Sequence, residues 1–240
     1  MRRILVFSLL LSFVISSCSF FGGKRVNGNG NRKTESRSVS SFKSVRVSGD
    51  MTVYLRQDSS TSLKIEADEN LMEYIEVTND GSTLRIKPKD DYNLRSSQGI
   101  KIYVSNATYE NLRGSGACTF VTEAPINLQN DVSFDLSGSC DIHAELSAPK
   151  IDVDASGSGS IALKGTAKDF EVDGSGSTDI KCFNMMSENA KIKLSGSGSA
   201  EVYASSKLDV DISGAADVQY KGTAAVSQSI SGAGSVKKVD

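Results

Sequence analysis

The sequence predicts an all-β fold and, within that class, a parallel β-helix or solenoid. Three observations carry this. Apolar and polar residues alternate along almost the whole chain after residue 42, with thin helix signals, no Trp and 3 Pro against 21 Gly. A Ser-Gly motif returns seven times at short, regular spacing. One parity of apolar residues runs on either side of each copy, which places the motif in strands rather than in the loops between them.

The copies are Ser115-Gly-Ala-Cys-Thr-Phe120, Ser137-Gly-Ser-Cys-Asp-Ile142, Ser156-Gly-Ser-Gly-Ser-Ile161 and Ser175-Gly-Ser-Thr-Asp-Ile180. They continue as Ser195-Gly-Ser-Gly-Ser-Ala200, Ser213-Gly-Ala-Ala-Asp-Val218 and Ser231-Gly-Ala-Gly-Ser-Val236. Successive copies start 22, 19, 19, 20, 18 and 18 residues apart, and an outlying copy stands at Ser48-Gly-Asp-Met-Thr-Val53. Around the second copy, Val132, Phe134, Leu136, Gly138, Cys140, Ile142 and Ala144 share one parity. That parity is expected to point inward, with the second and fourth motif residues both lining a narrow core and Ser and Asp facing out.

A repeat of this length holds two or three short strands and cannot bury its own inner face. Copies must therefore stack as rungs, with parallel strands about 4.8 Å apart. An antiparallel meander is the rival, but it would reverse consecutive copies and would not need their common phase. Right-handed winding follows from the crossover rule. The solenoid domain is assigned to residues 42–240: an irregular β-rich opening over 42–112 and the Ser-Gly rungs over 113–240. In the opening half, strands are expected at 45–47, 53–55, 63–65, 75–77, 84–86 and 100–102. A turn is expected at 79–82, and one or two helical turns at 68–74 with Asp68 as N-cap. This half is the natural cap of the stack.

The first eighteen residues read as an address. Arg2 and Arg3 precede an apolar run from residue 4 to 15, which ends in Ile15-Ser16-Ser17-Cys18. The run is short for a membrane span, which needs about 20 apolar residues, and suits a secretory signal. The last four residues resemble a bacterial lipobox, which makes Cys18 the lipidation site and the membrane a partner through that lipid. Residues 19–41 read as a flexible basic tether of net charge +4, which leaves −8 on the body. An acidic body argues against nucleic acid, which wants a clustered basic face.

The lipobox, the irregular β-rich opening and the serial Ser-Gly motifs together resemble the putative autotransporter adhesin, head GIN domain family, over residues 42–238. The resemblance implies a pectin-lyase-like right-handed β-helix and an adhesion role, and it brings no established catalytic residues.

Three outward positions of the motif form ladders. The first is Ser in all seven copies, and the third is Ala117, Ser139, Ser158, Ser177, Ser197, Ala215 and Ala233. The fifth is Thr119, Asp141, Ser160, Asp179, Ser199, Asp217 and Ser235, so Asp falls on every second rung. One reading is structural: each carboxylate accepts hydrogen bonds from hydroxyl neighbours instead of facing its own kind. The other is a flat polar face for a glycan or surface polymer, with Ser139, Asp141, Ser158, Ser160, Ser177, Asp179, Ser197, Ser199 and Asp217 as binding candidates. Carboxylates about 9.6 Å apart cannot share one calcium ion, so no metal is expected.

Cys118 and Cys140 hold the same inward position on neighbouring rungs, and Cys182 is inward too. A Cys118–Cys140 disulfide fits an oxidising compartment, and buried free thiols are the alternative. The lone histidine, His143, falls outward. Lys150, Lys164, Lys181, Lys191 and Lys193 are scattered without an evident acidic cluster, and Asn106-Ala107-Thr108 reads as a polar turn. No catalytic residue and no cofactor are assigned. The expected function is a non-enzymatic, adhesin-like module lipid-anchored to the outer membrane. The alternatives are a carbohydrate-active enzyme, which clustered carboxylates in a groove would favour, and a periplasmic scaffold with a protein partner. An exposed apolar patch around Leu71, Met72 and Tyr74 would mark the scaffold.

Overall fold

The computed structural model describes residues 23–240. The signal segment 1–18 and its lipobox Cys18 lie outside the described residues, as does the start of the expected tether. The chain is all-β. Its strands are β1 (Lys24–Asn27), β2 (Arg32–Arg37), β3 (Ser44–Gln57), β4 (Ser62–Asp68), β5 (Ile75–Asn79), β6 (Thr83–Pro88) and β7 (Tyr92–Arg95). There follow β8 (Ile100–Asn106), β9 (Asn111–Thr122), β10 (Ile126–Asn127), β11 (Val132–Ser139), β12 (Asp141–Lys221), β13 (Ala225–Gly232) and β14 (Ser235–Lys238). A 3-10 turn, Glu69–Tyr74, joins β4 to β5. Among the described residues no helix is long and apolar enough to cross a membrane.

One large mixed sheet runs β10-β12-β11-β9-β3-β8-β4-β2, and β1 pairs with β7 in a second, two-stranded sheet. Within the repeats the pairing is parallel and in phase. Ser48 sits opposite Ser115, Ser115 opposite Ser137, and Ser137 opposite Ser156, so the outlying copy belongs to the same register as the regular ones. Antiparallel pairs join β2 to β4, β4 to β8 and β5 to β6, all in the opening half.

β12 has 81 residues and would stretch about 270 Å if straight. Instead it returns on itself. The Ser160 amide donates to Asp141 Oδ1, the Ser199 hydroxyl to Asp179 Oδ1 and the Ser205 hydroxyl to the Ser187 carbonyl, at separations of 19, 20 and 18 residues. The core follows the same columns. Val45, Leu112, Phe134 and Val153 are cross-strand neighbours in turn, each no more than 2 % exposed, and Phe120 lies edge-on to Phe134 at 6.4 Å. Each such side chain contributes about 1.5–3 kcal/mol when buried.

The motif departs from the expected parity at one position. Its fourth residue faces inward: Cys118, Cys140, Gly159, Thr178, Gly198, Ala216 and Gly234 are all buried or half-buried. Its second residue, the Gly, does not line the core. Gly116, Gly138, Gly157, Gly176 and Gly196 are exposed and have φ between +93° and +125°. The chain bends there, and a positive φ of this kind suits glycine alone. A Cβ at Gly157, Gly176 or Gly196 would also overlap the carbonyl oxygen of the motif Gly one layer earlier. The Gly ladder therefore marks a corner rather than a narrow core.

Two expectations for the opening half are corrected. Residues 24–27 and 32–37 are strands rather than tether: β1 pairs with β7 in parallel and β2 pairs with β4 antiparallel. Their polar sequence hid this: beyond backbone pairing, β2 is held by Arg32 against Glu66 and Asp68, and β1 by Val26 packed against the core. Around 68–74, Asp68 occupies the N-cap position but its side chain does not cap the turn. Leu71 and Met72 are 0 % and 5 % exposed, so they form no exposed patch.

Candidate functional site

The side chains outside the core stand in columns, because successive layers pair residue to residue. The fifth-position column works as a hydrogen-bonded ladder. Asp141 accepts from the Ser160 amide at 2.8 Å, Asp179 from the Ser199 hydroxyl at 2.9 Å, and Asp217 from the Ser235 hydroxyl at 2.6 Å. Every one of these carboxylates is thus turned toward the layer that follows it. The third-position residues Ser139, Ser158, Ser177 and Ser197 are exposed beside them, so the structure brings all the sequence-selected binding candidates onto one strip. Small side chains keep that strip shallow.

A second column was not selected from sequence. Two residues before the seven motif Ser stand Arg113, Asp135, Asp154, Asp173, Lys193, Asp211 and Ser229. Cross-strand pairing continues this column back to Arg46: Arg46 faces Arg113, Arg113 faces Asp135, and Asp135 faces Asp154. Arg46, Arg113, Asp135, Asp154 and Asp173, with Ser115, Ser137, Ser156 and Ser175, line a groove of about 420 Å³. At its basic end Arg113 Nε donates to Asp135 Oδ2 at 2.8 Å, and Asn111 Nδ2 donates to the same oxygen at 3.1 Å. Asp154 has no such partner. Burial, and then the carboxylates of Asp152, Asp135, Asp173 and Glu171, raise its pKa above the ordinary aspartate value.

Lys150 answers part of this charge, lying 3.3 Å from Asp152 and 3.2 Å from Glu171, and Lys193 lies 4.0 Å from Asp173. Of the lysines that look scattered in the sequence, Lys150, Lys164 and Lys193 are thus matched to acidic residues one layer away. Aligning the repeats two residues further upstream would have found this column. Among the described residues, no group of His, Cys, Asp or Glu side chains is arranged to hold a metal ion.

His143 is exposed in a separate groove of about 450 Å³ with Glu145, Lys164 and Lys181, where Lys164 pairs with Glu145 at 2.6 Å. Cys118 in β9 and Cys140, between β11 and β12, have Cα atoms 4.6 Å apart and their sulfurs in contact. Cys182 is a buried free thiol whose pKa burial pushes up to about 12, which makes it unreactive.

The comparisons with known proteins agree with this geometry. The family profile described as "Putative auto-transporter adhesin, head GIN domain" matches residues 41–224. The chain belongs to that family. Several solved structures share its fold. A crystal structure from Bacteroides fragilis, described as a putative adhesin, is 21 % identical with a TM-score of 0.80, over 89 % of this chain and all of that one. Two structures from Parabacteroides distasonis are each 26 % identical, over 90 % of this chain and all of theirs. One is described as a putative lipid binding protein (TM-score 0.70) and the other as a putative adhesin (TM-score 0.67). No curated protein matches.

Proposed function

We propose that this head GIN protein is a non-enzymatic, adhesin-like module of the cell envelope, exported and lipid-anchored through Cys18, whose repeats wind as a right-handed parallel β-helix. The parallel in-phase ladders and the return of β12 every 18 to 20 residues support the winding. The single observation that carries the function is the exposed strip of stacked Ser and Asp side chains from Ser139 to Asp217, periodic along the stack. A periodic polar strip matches a polymer with its own polar repeat, such as a glycan, through many shallow contacts rather than one pocket. The Parabacteroides protein described as lipid binding raises lipid as an alternative ligand. The two grooves mix charged and hydroxylic residues with small apolar ones, and this polar share suits a polar polymer better than an acyl chain.

The test is protease shaving of intact cells, blotted for residues 42–240. Loss of the signal is the expected result, and binding to surface polysaccharide is then expected to fall when Asp141, Asp179 and Asp217 are changed together to Lys. Protection until the outer membrane is broken would overturn the adhesin reading. One observation favours a second reading, a carbohydrate-active enzyme: Asp135, Asp154 and Asp173 share a groove, and Asp154 is held above its ordinary pKa. Polysaccharide cleavage abolished by Asp154→Asn would establish that reading in place of the first.

A further inference from the structure

The two ends of the stack are finished differently. At one end the outermost strand of the large sheet is β2, with Arg32, Lys33, Glu35 and Arg37 among its six residues. Charge on an edge strand blocks pairing with another chain. At the other end β13 and β14 pair with β12 on one side, and no strand among the described residues covers their other side. All eight residues of β13 are exposed, including Val226 at 37 % and Ile230 at 39 %, two of the three large hydrophobic side chains exposed among the described residues.

β13 itself carries no charge and no Pro, whereas β14 ends in Lys237 and Lys238. From residue 222 to 236 the chain has no Asp, Glu, Lys, Arg or Pro. The layer beneath is charged at the same columns, and each charge is replaced by a small neutral residue in the last one. Ala225 stands over Lys207, Ser227 over Asp209, Ser229 over Asp211 and Ser235 over Asp217. Val226, Gln228 and Ile230 continue the inward column above Leu208, Val210 and Ile212. A neutral edge can be covered without burying an unpaired charge, which is the largest cost such a contact can carry.

We propose that β13 forms a two-fold interface with β13 of a second copy of this chain, the two strands running antiparallel and centred on Gln228. In that register Val226 lies across from Ile230 of the partner subunit, and Ser227 lies across from Ser229 of the partner subunit. The exposed apolar residues then cover one another twice, and no like charges meet. A head-to-tail arrangement would set this edge against the charged β2, so the pairing closes as a dimer instead of growing into a filament. The interface stands apart from the Ser/Asp strip and doubles the number of strips per assembly, which strengthens binding to a repeating polymer.

The experiment is sedimentation of the full chain in detergent solution, beside Val226→Lys/Ile230→Lys and a single Gln228→Cys variant. The parent is expected to sediment as a dimer. The double-lysine variant, with unchanged circular dichroism, should lose at least about tenfold in dimer affinity through like-charge repulsion across the pair. Under oxidation Gln228→Cys should gain a disulfide-linked dimer that the parent lacks, because only a residue on the two-fold axis faces itself. A monomeric parent overturns the proposal, even if the edge captures an extended segment of another protein. A dimer untouched by the two lysines, or a Gln228→Cys chain that does not cross-link, overturns it equally.

Discussion

The opening half and the repeat half solve the same problem, satisfying a stacked backbone, by different means. In the repeats each layer presents the same groups to the next, so one register of parallel bonds serves many layers and the corner is made by a single glycine. In the opening half the chain changes direction and mixes parallel with antiparallel pairs, and individual side chains must finish what the ladder leaves open. The buried Asp68 carboxylate is the clearest case. It accepts from the Gly30 amide at 2.8 Å, the Ser97 amide at 3.1 Å, the Ser97 hydroxyl at 2.7 Å and the Ser96 hydroxyl, with Arg32 Nη1 at 3.8 Å. Arg32 in turn donates to the carbonyls of Gly99 and Glu66. Asn106 works in the same way, donating to the carbonyls of Phe42 and Thr108 at 2.7 Å each. Periodicity makes side chains interchangeable, and its loss makes them individual.

The largest effect that would break this contrast is at a corner. Gly176→Val places a branched side chain at φ +104° against the Gly157 carbonyl, so a loss of about 3–5 kcal/mol is expected in urea melts. Ser177→Ala, one residue on and exposed, should cost under about 0.5 kcal/mol. Equal losses at the two positions would mean that the ladder is not what holds the corner.

In the opening half, Asp68→Ala should cost about 3 kcal/mol, because it strands buried donors from three segments at once. The same carboxylate sets an acid limit. Burial works to raise its pKa, but the Ser96 and Ser97 hydroxyls and the Gly30 and Ser97 amides outweigh it and hold the value at about 2, below the ordinary 3.8. A depressed folded-state pKa means the stabilisation is complete above about pH 4 and fades as the pH falls toward 2. The stability difference between the parent and Asp68→Ala should therefore shrink over that window. A difference that stays constant down to pH 2 would show that packing, not the carboxylate, holds residues 30 and 96–97 against β4.

Between these two regions lie Cys118 and Cys140. Peptide mapping without reductant is expected to recover them linked, and Cys140→Ala should lower stability by about 3 kcal/mol for a loop of 22 residues. Recovery of both as free thiols would leave them as core packing alone.

What the sequence shows and what it hides divide along the same line. The phase of the repeats, the inward set of Cys118, Cys140 and Cys182, and the alternation of Asp141 and Asp179 with hydroxyl neighbours are legible because a fixed period turns distance in space into distance in sequence. The strands 24–27 and 32–37 are not legible, since their partners lie 26 to 68 residues away and the residues themselves look like solvated linker. Asp68 is misread for the same reason: a local cap is the nearest explanation, while its real donors come from residues 30, 96 and 97. The direction of the Gly corner is hidden differently. Alternation of types survives a positive φ, so the pattern alone cannot tell an inward glycine from a bend.

The smallest expected effect sharpens the contrast within the repeats themselves. Stacking identical layers is economical only while the stacked side chains tolerate one another, and the column of Asp135, Asp154 and Asp173 strains that condition. Asp154 sits among four other carboxylates, which together with burial raise its pKa. A raised folded-state pKa in an acid means that ionisation costs stability, so the penalty is absent below about pH 4 and appears as the pH rises through the folded value. Asp154→Asn should therefore raise the melting temperature at pH 7 by about 1–2 °C, since the group is partly exposed and screened, and should change nothing at pH 3.5. If the gain persists at low pH, it comes from packing. If the variant is instead destabilised at pH 7, the Asp154 carboxylate has a partner in the folded protein that offsets the repulsion of its column.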